Sequence, residues 1–205
     1  MAWQKDEDGS ILNNAGKVIF FSKDRFVADI CIGRCCFICG AQPESKLFNN
    51  EHIIPEWLLR KFDLFQRTIT LPNGRTTRYD RYKVPCCQDC NSLMGKQVEE
   101  RVSKVVCAGP EAVQKHIAEG NGLEFFVWMG LIFLKTHLKD RDLRVNLDLR
   151  EPDEKIADAY DWETLHHIHC VVRCFFNGAI IEKDVFGSLG AFAWDGRSVR
   201  LWGPL

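Results

Sequence analysis

The chain has almost no net charge. Its 205 residues carry 27 lysines and arginines against 28 aspartates and glutamates, a formal charge of -1. That balance excludes a polycation that coats nucleic acid over its whole surface. Long apolar runs are also missing. The longest, residues 125–134, contains Gly130 and falls short of the about 20 residues a bilayer-spanning helix needs. It predicts a buried core helix and no membrane partner. The opening stretch, residues 1–6, is polar and acidic rather than leader-like, so the expected compartment is a reducing cytoplasm. Internal repeats and low-complexity tracts are absent as well, which excludes solenoids and disordered tails. What is present is 46% hydrophobic residues, enough for a packed globule, and ten cysteines. In a reducing compartment, paired cysteines hold metal more often than they form disulfides.

Local patterns outline the elements. Residues 17–21 read as a short strand, and Ser22 as the cap of a helix over 23–30 whose Phe26, Val27 and Ile30 share a face. Pro55 opens a helix at Glu56. Residues 68–71 and 75–84 flank Pro72-Asn73-Gly74, a hairpin signal. A helix is predicted over 89–106, another over 111–119 ended by Gly120, and a third over 123–138 buried on most sides. Residues 143–149 alternate and read as a strand, and 153–160 as helical. From Leu165 on, Val, Ile, Phe and Trp punctuated by Asn177-Gly178, Gly187, Gly190 and Asp195-Gly196 predict a small antiparallel sheet. The expected fold class is α+β. The expected boundary divides a cysteine-bearing unit, residues 1–107, from a packing or partner-binding region, residues 108–205.

Two Cys-x-x-Cys pairs carry the metal signal. Cys36-Phe37-Ile38-Cys39 runs into Gly40, which permits a tight turn, and Cys87-Gln88-Asp89-Cys90 opens a helix. A two-residue gap lets both thiolates of a pair face one tetrahedral Zn²⁺, and two pairs close a structural four-sulfur site. Cys35 and Cys86 stand one residue outside each pair and offer a shifted, less favourable set. The remaining cysteines read as small core residues. In the second half, His166, Cys170 and Cys174 would align on a helix, but the bland core reading is preferred to a second metal there.

Between the pairs lies Glu51-His52-Ile53-Ile54-Pro55, and Asn91 follows the second pair directly. A histidine titrating near neutrality suits a general base, and a carboxylate with an amide supplies hard oxygen ligands for Mg²⁺ or Mn²⁺. Taken together, Cys36-x-x-Cys39, Glu51-His52-Ile53-Ile54-Pro55 and Cys87-x-x-Cys90-Asn91 resemble the HNH (ββα-metal, His-Me finger) endonuclease family over about residues 36–100. The resemblance implies a ββα-metal core with a four-cysteine zinc clip, followed by a helical and small-sheet C-terminal half. It makes His52 the base, Glu51 and Asn91 ligands of the catalytic Mg²⁺ or Mn²⁺, and Cys36, Cys39, Cys87 and Cys90 ligands of structural zinc. Two departures stand out. Glu51 replaces the family's usual Asp, and Tyr82 stands where its middle Asn is expected.

The near-neutral charge is unevenly spread. Arg60, Lys61, Arg67, Arg75, Arg78, Arg81 and Lys83 are opposed in their segment only by Asp63 and Asp80. Such a cluster beside a phosphodiesterase-like site is expected to bind nucleic acid, DNA ahead of RNA. The expected function is hydrolysis of phosphodiester bonds, in a setting of bacterial or phage restriction and anti-phage defence, with a homodimer or an ATPase as partner. The alternative is a non-catalytic zinc module that binds nucleic acid or a protein.

Overall fold

The computed structural model describes residues 3–179 and 181, and the class is α+β. Three short antiparallel strands, β1 (Gln4–Lys5), β2 (Ile11–Leu12) and β3 (Val18–Phe20), open the chain. Ser22 then accepts a hydrogen bond from the Arg25 amide and starts α1, residues 23–32, which buries Phe26, Ile30 and Cys31.

The central unit is a pair of antiparallel strands followed by a long helix. β4 (Phe48–His52) pairs with β7 (Lys83–Cys87), in register from Phe48 opposite Cys87 to His52 opposite Lys83. Helix α3, residues 88–108, leaves directly from β7. The chain between the two strands forms helix α2 (Glu56–Lys61), the hairpin β5 (Thr68–Thr70) and β6 (Thr76–Arg78), and a single turn at Tyr79–Arg81. The hairpin turns at Gly74, whose φ of +82° is one that glycine adopts without strain.

Pro110 begins α4 (Pro110–His116), and Gly120, at φ 93°, breaks the helical path before α5 (Gly122–Asp140). By length and composition the whole stretch Pro110–Asp140 is apolar enough to cross a bilayer, with 28% of its most apolar window buried. In this fold its apolar stripe, Phe125, Val127, Leu131, Leu134 and Leu138, packs inward. Met129 and Phe133 face out, so the helix is less completely enclosed than its composition predicts. At Gly130 the helix α6 (Trp162–Phe176) packs closely against α5. A Cβ there would meet the Ile168 side chain at 2.9 Å. The hydrophobic core is continuous across residue 107: Phe26, Phe37, Ile53, Val84 and Val98 belong to the same cluster as Leu131, Leu134, Leu165 and Val172.

Two sequence expectations are overturned. Residues 143–149 form no strand. Only Arg144 makes an isolated bridge, to Lys155, and Val145, Leu147 and Leu149 are exposed; among the described residues no strand pairs with the segment. Residues 165–176 are helical rather than β. Asp161 caps α6 by accepting from the Glu163 amide, and Leu165, His169 and Val172 recur at helical spacing on its buried face. The rest of the expected C-terminal sheet, at Gly187, Gly190 and Asp195-Gly196, lies outside the described residues. Residues 153–160 contain one 3₁₀ turn, Ile156–Ala159.

Candidate functional site

The cysteine cluster is built by two turns and a strand end. After Cys36 the backbone closes a tight loop, with the Gly40 amide on the Cys36 carbonyl at 2.8 Å and the Cys36 amide on Ala41 at 2.8 Å. This holds Cys36 and Cys39 side by side. β7 delivers Cys87, and the first turn of α3 brings Cys90 round. The four sulfurs lie within 4.8 Å of one another, a set that could hold a metal ion. A tetrahedron with about 2.3 Å zinc–sulfur bonds has edges of roughly 3.8 Å. Cys39 and Cys87 are 3.7 Å apart, so the donor set fits Zn²⁺. The fifth sulfur, Cys86, lies 3.8 Å from Cys36 but outside the four-sulfur set.

The electrostatics point the same way. Hydrogen bonds from Cys39, Cys86 and Cys90 hold the Cys36 thiol far below its ordinary pKa, while the hydrogen bond to Cys36 pushes Cys90 far up. Thiols this close cannot ionise together unaided, and a divalent cation removes that conflict. Arg173 stands beside them from α6, almost fully buried, donating to the carbonyls of Ile38 and Ile19 at 3.3 and 3.2 Å. His169 points Nε2 at the same Ile38 carbonyl, 3.3 Å away. Since a carbonyl only accepts, Nε2 carries the proton. Burial, and then the Arg173 charge, press His169 down to about 3, so it is neutral. Spacing in the sequence marks neither residue as part of the cysteine site. The contacts that place them there span more than a hundred positions.

No other metal-capable group of His, Cys, Asp or Glu occurs among the described residues. His166 and Cys170 do fall on one helix face, 3.6 Å apart, but His166 Nε2 is already engaged with the Phe21 carbonyl at 2.8 Å. Burial raises Cys31 to about 12 and Cys170 to about 11, the behaviour of inert core thiols, whereas Cys107, expected in the core, is exposed at the end of α3.

Glu51 and His52 end strand β4. Side chains alternate along a strand, so Asn49 and Glu51 share the face opposite to that of His52. Asn91, in the first turn of α3, donates from Nδ2 to Asn49 Oδ1 at 3.0 Å, which sets it over the Asn49–Glu51 face. Glu51 is buried, and its Oε1 accepts from Lys135 at 2.9 Å. The Lys135 ammonium also donates to the His52 carbonyl at 2.7 Å, and that lysine is only 1% exposed. The sequence alone does not single out Lys135. It is one cation on an otherwise apolar helix face, and nothing local announces its partner. Glu99 lies nearby on α3, eight residues after Asn91, and burial pushes its carboxyl up.

His52 is half-buried, its Nε2 has no hydrogen-bond partner among the described residues, and the Phe65 ring meets it edge-on at 6.4 Å. Burial, then the Lys83 charge, lowers its pKa, so it is neutral at pH 7. Tyr82 does not orient the imidazole. Its buried hydroxyl donates to Asp140 Oδ1 at 2.8 Å instead.

The basic residues divide. Arg75, Arg78 and Arg81 line one cleft, Lys83 lines a second, and Arg60 lies beside Glu56 at a third place, paired with it at 2.5 Å. Lys61 lies over the Phe62 ring and Arg67 precedes the hairpin, apart from the three clefts. Compared with protein-family models, curated proteins and solved structures, the chain matches none.

Proposed function

We propose that this protein is a zinc-braced, divalent-metal-dependent HNH-type endonuclease acting on nucleic acid, DNA ahead of RNA, in the cytoplasm. One observation carries the reading. The acid–histidine pair ends a strand whose antiparallel partner runs straight into a helix, and that helix sets Asn91 against the same strand, with one cysteine cluster bracing the unit. Glu51 and Asn91 would hold Mg²⁺ or Mn²⁺. Lys135 occupies only one Glu51 oxygen, and Asn91 uses its amide nitrogen toward Asn49, which leaves one oxygen on each. Such a pair suits a hard cation that keeps waters and substrate phosphate in its shell. When bound, the ion supplies Lewis-acid charge at the scissile phosphate. His52, neutral at pH 7, would accept the proton of the attacking water, which requires the end of β4 to turn its imidazole toward the Glu51–Asn91 face. Lys135 fixes the Glu51 carboxylate and the His52 backbone together.

A second reading, a non-catalytic zinc module that binds nucleic acid or protein, is favoured by the sealed Nε2 of His52 and by Tyr82 pointing to Asp140. Plasmid DNA and RNA incubated with Mg²⁺ or Mn²⁺ decide between them. Cleavage should fall roughly 10²- to 10⁴-fold in His52→Ala, the usual worth of a general base. Cleavage untouched by that substitution, or absent under every metal, overturns the endonuclease.

A further inference from the structure

We propose that the two clefts flanking α5 form one continuous track for the backbone of double-stranded nucleic acid, running from Lys83, beside His52 in the strand register, out to Arg75 and Arg34; this rests on the endonuclease reading. The first cleft, about 570 Å³, is lined by Arg75, Arg78, Arg81 and Lys139 together with Thr76 and Thr77. The second, about 250 Å³, is lined by Lys83, Arg34 and Arg141. Lys139 and Asp142 line both, so the two clefts share a wall.

The charges differ in what they are free to do. Arg78 is held by Asp80, its Nε 2.9 Å from Oδ1, and Arg141 is spent on the carbonyls of Ile30 and Cys31 at 3.1 and 2.7 Å. Arg34, Arg75, Arg81, Lys83 and Lys139 form no ion pair among the described residues, and all but Lys83 are exposed. A row of unpaired cations with threonine hydroxyls between them is the chemistry that takes phosphates. The row also joins a lysine of α5 and an arginine after α1 to the hairpin arginines, residues far apart in sequence.

The track offers no base-stacking platform. Its aromatic lining residues, Tyr82 and Phe37, are each 2% exposed, with no ring face to present. Single strands are gripped by stacking on such faces; a duplex backbone needs only the cations. The occupant is therefore a duplex, read through its phosphates and without base sequence.

Binding of a short blunt DNA duplex and of the matching single strand, measured by fluorescence anisotropy over a salt series in His52→Ala protein, tests this. For the duplex, log K falls with log salt by about 0.9 per cation engaged. The triple variant R75Q/R81Q/K139Q should lose that much slope at each position, while K5Q/K104Q/K115Q, the same charge loss elsewhere, leaves it unchanged. If the triple variant loses zinc or its urea transition, Lys139→Gln alone, on the exposed wall between the clefts, should still lower the slope by about 0.9. An unchanged slope with duplex still bound overturns the track and leaves the endonuclease standing. Tighter binding of the single strand overturns the duplex assignment. Binding of neither by the parent protein removes both the track and the function it rests on.

Discussion

The cysteine cluster and the Glu51–His52 corner occupy opposite ends of the β4–β7 pair and are held in opposite ways. At the Phe48–Cys87 end, four sulfurs from two sequence-local turns converge, and the surrounding shell adjusts to them through Arg173 and His169. At the His52–Lys83 end, the chemical groups are set by a single lysine 84 positions away. The first end is a closed local device; the second depends on the helical half of the chain docking correctly. That difference teaches where each can be broken. The cluster fails when any sulfur is lost, and the corner fails when α5 shifts.

The largest effect is expected at the cluster. Structural zinc contributes about 10–16 kcal/mol of apparent binding free energy in small zinc domains, which there is folding free energy. Cys90→Ser should lose stoichiometric zinc, measured by elemental analysis, together with the cooperative urea transition, and a strong chelator should do the same to the parent protein. Retention of a full transition without zinc would put the two ends on an equal footing. Next is the corner. Lys135→Met strands a buried carboxylate, and breaking a buried pair costs about 3–5 kcal/mol. The double variant E51Q/K135M removes the second charge too and should recover most of that loss in urea unfolding, with zinc retained in both. A double variant as unstable as the single one would show that Lys135 acts through packing rather than charge.

The legibility of the two ends follows the same contrast. The Cys-x-x-Cys spacing, the Ser22 cap and the Pro72-Asn73-Gly74 turn are readable because each is decided within a few residues, but the strand expected over 75–84 ends at Arg78, and Lys83 and Val84 pair with β4 because that partner is remote in sequence. Glu51 and His52 could be singled out from sequence, but not the ammonium that holds them. Residues 143–149 alternate like a strand and yet meet no partner strand among the described residues, since alternation states what a strand could bury and not what lies opposite. The Val, Ile and Phe content of residues 165–176 speaks for β structure, but the Asp161 cap and helical spacing weigh more once α5 offers a groove at Gly130. The arginine and lysine positions are all visible in the sequence, but which of them line a cleft is a product of folding.

A smaller effect tests how tightly the knuckle turn is fixed. Gly40 has φ +70°, and a Cβ there would fall 2.4 Å from the Phe21 ring, which in turn packs edge-on against His169 at 5.4 Å. Gly40→Ala should cost about 2 kcal/mol through backbone strain and a displaced ring, read from urea midpoints, while zinc stays bound. Loss of zinc in this variant would make the turn, rather than the sulfurs, the limiting feature of the cluster.

The smallest effect belongs to the corner's outer support, where Tyr82 donates to Asp140. Burial raises the Asp140 pKa, and the Tyr82 hydrogen bond partly offsets that rise. A carboxyl whose folded pKa lies above its unfolded value gives stability that is present in acid and lost as pH rises through the folded pKa. Tyr82→Phe removes the offset, so the folded pKa climbs further and the charged form becomes more costly. The variant should therefore be less stable than the parent by about 1 kcal/mol near neutral pH, the low end for a buried acceptor left without its donor. The gap should narrow as pH falls toward the folded pKa of Asp140, where the group is protonated in both proteins. Urea unfolding of both proteins across that pH range reads the gap directly. Asp140→Asn, combined with Tyr82→Phe, should flatten its pH dependence. A gap that stays constant with pH would mean that Tyr82 supports the corner by filling space beneath β7, and that the hydroxyl contributes nothing to holding α5 against it.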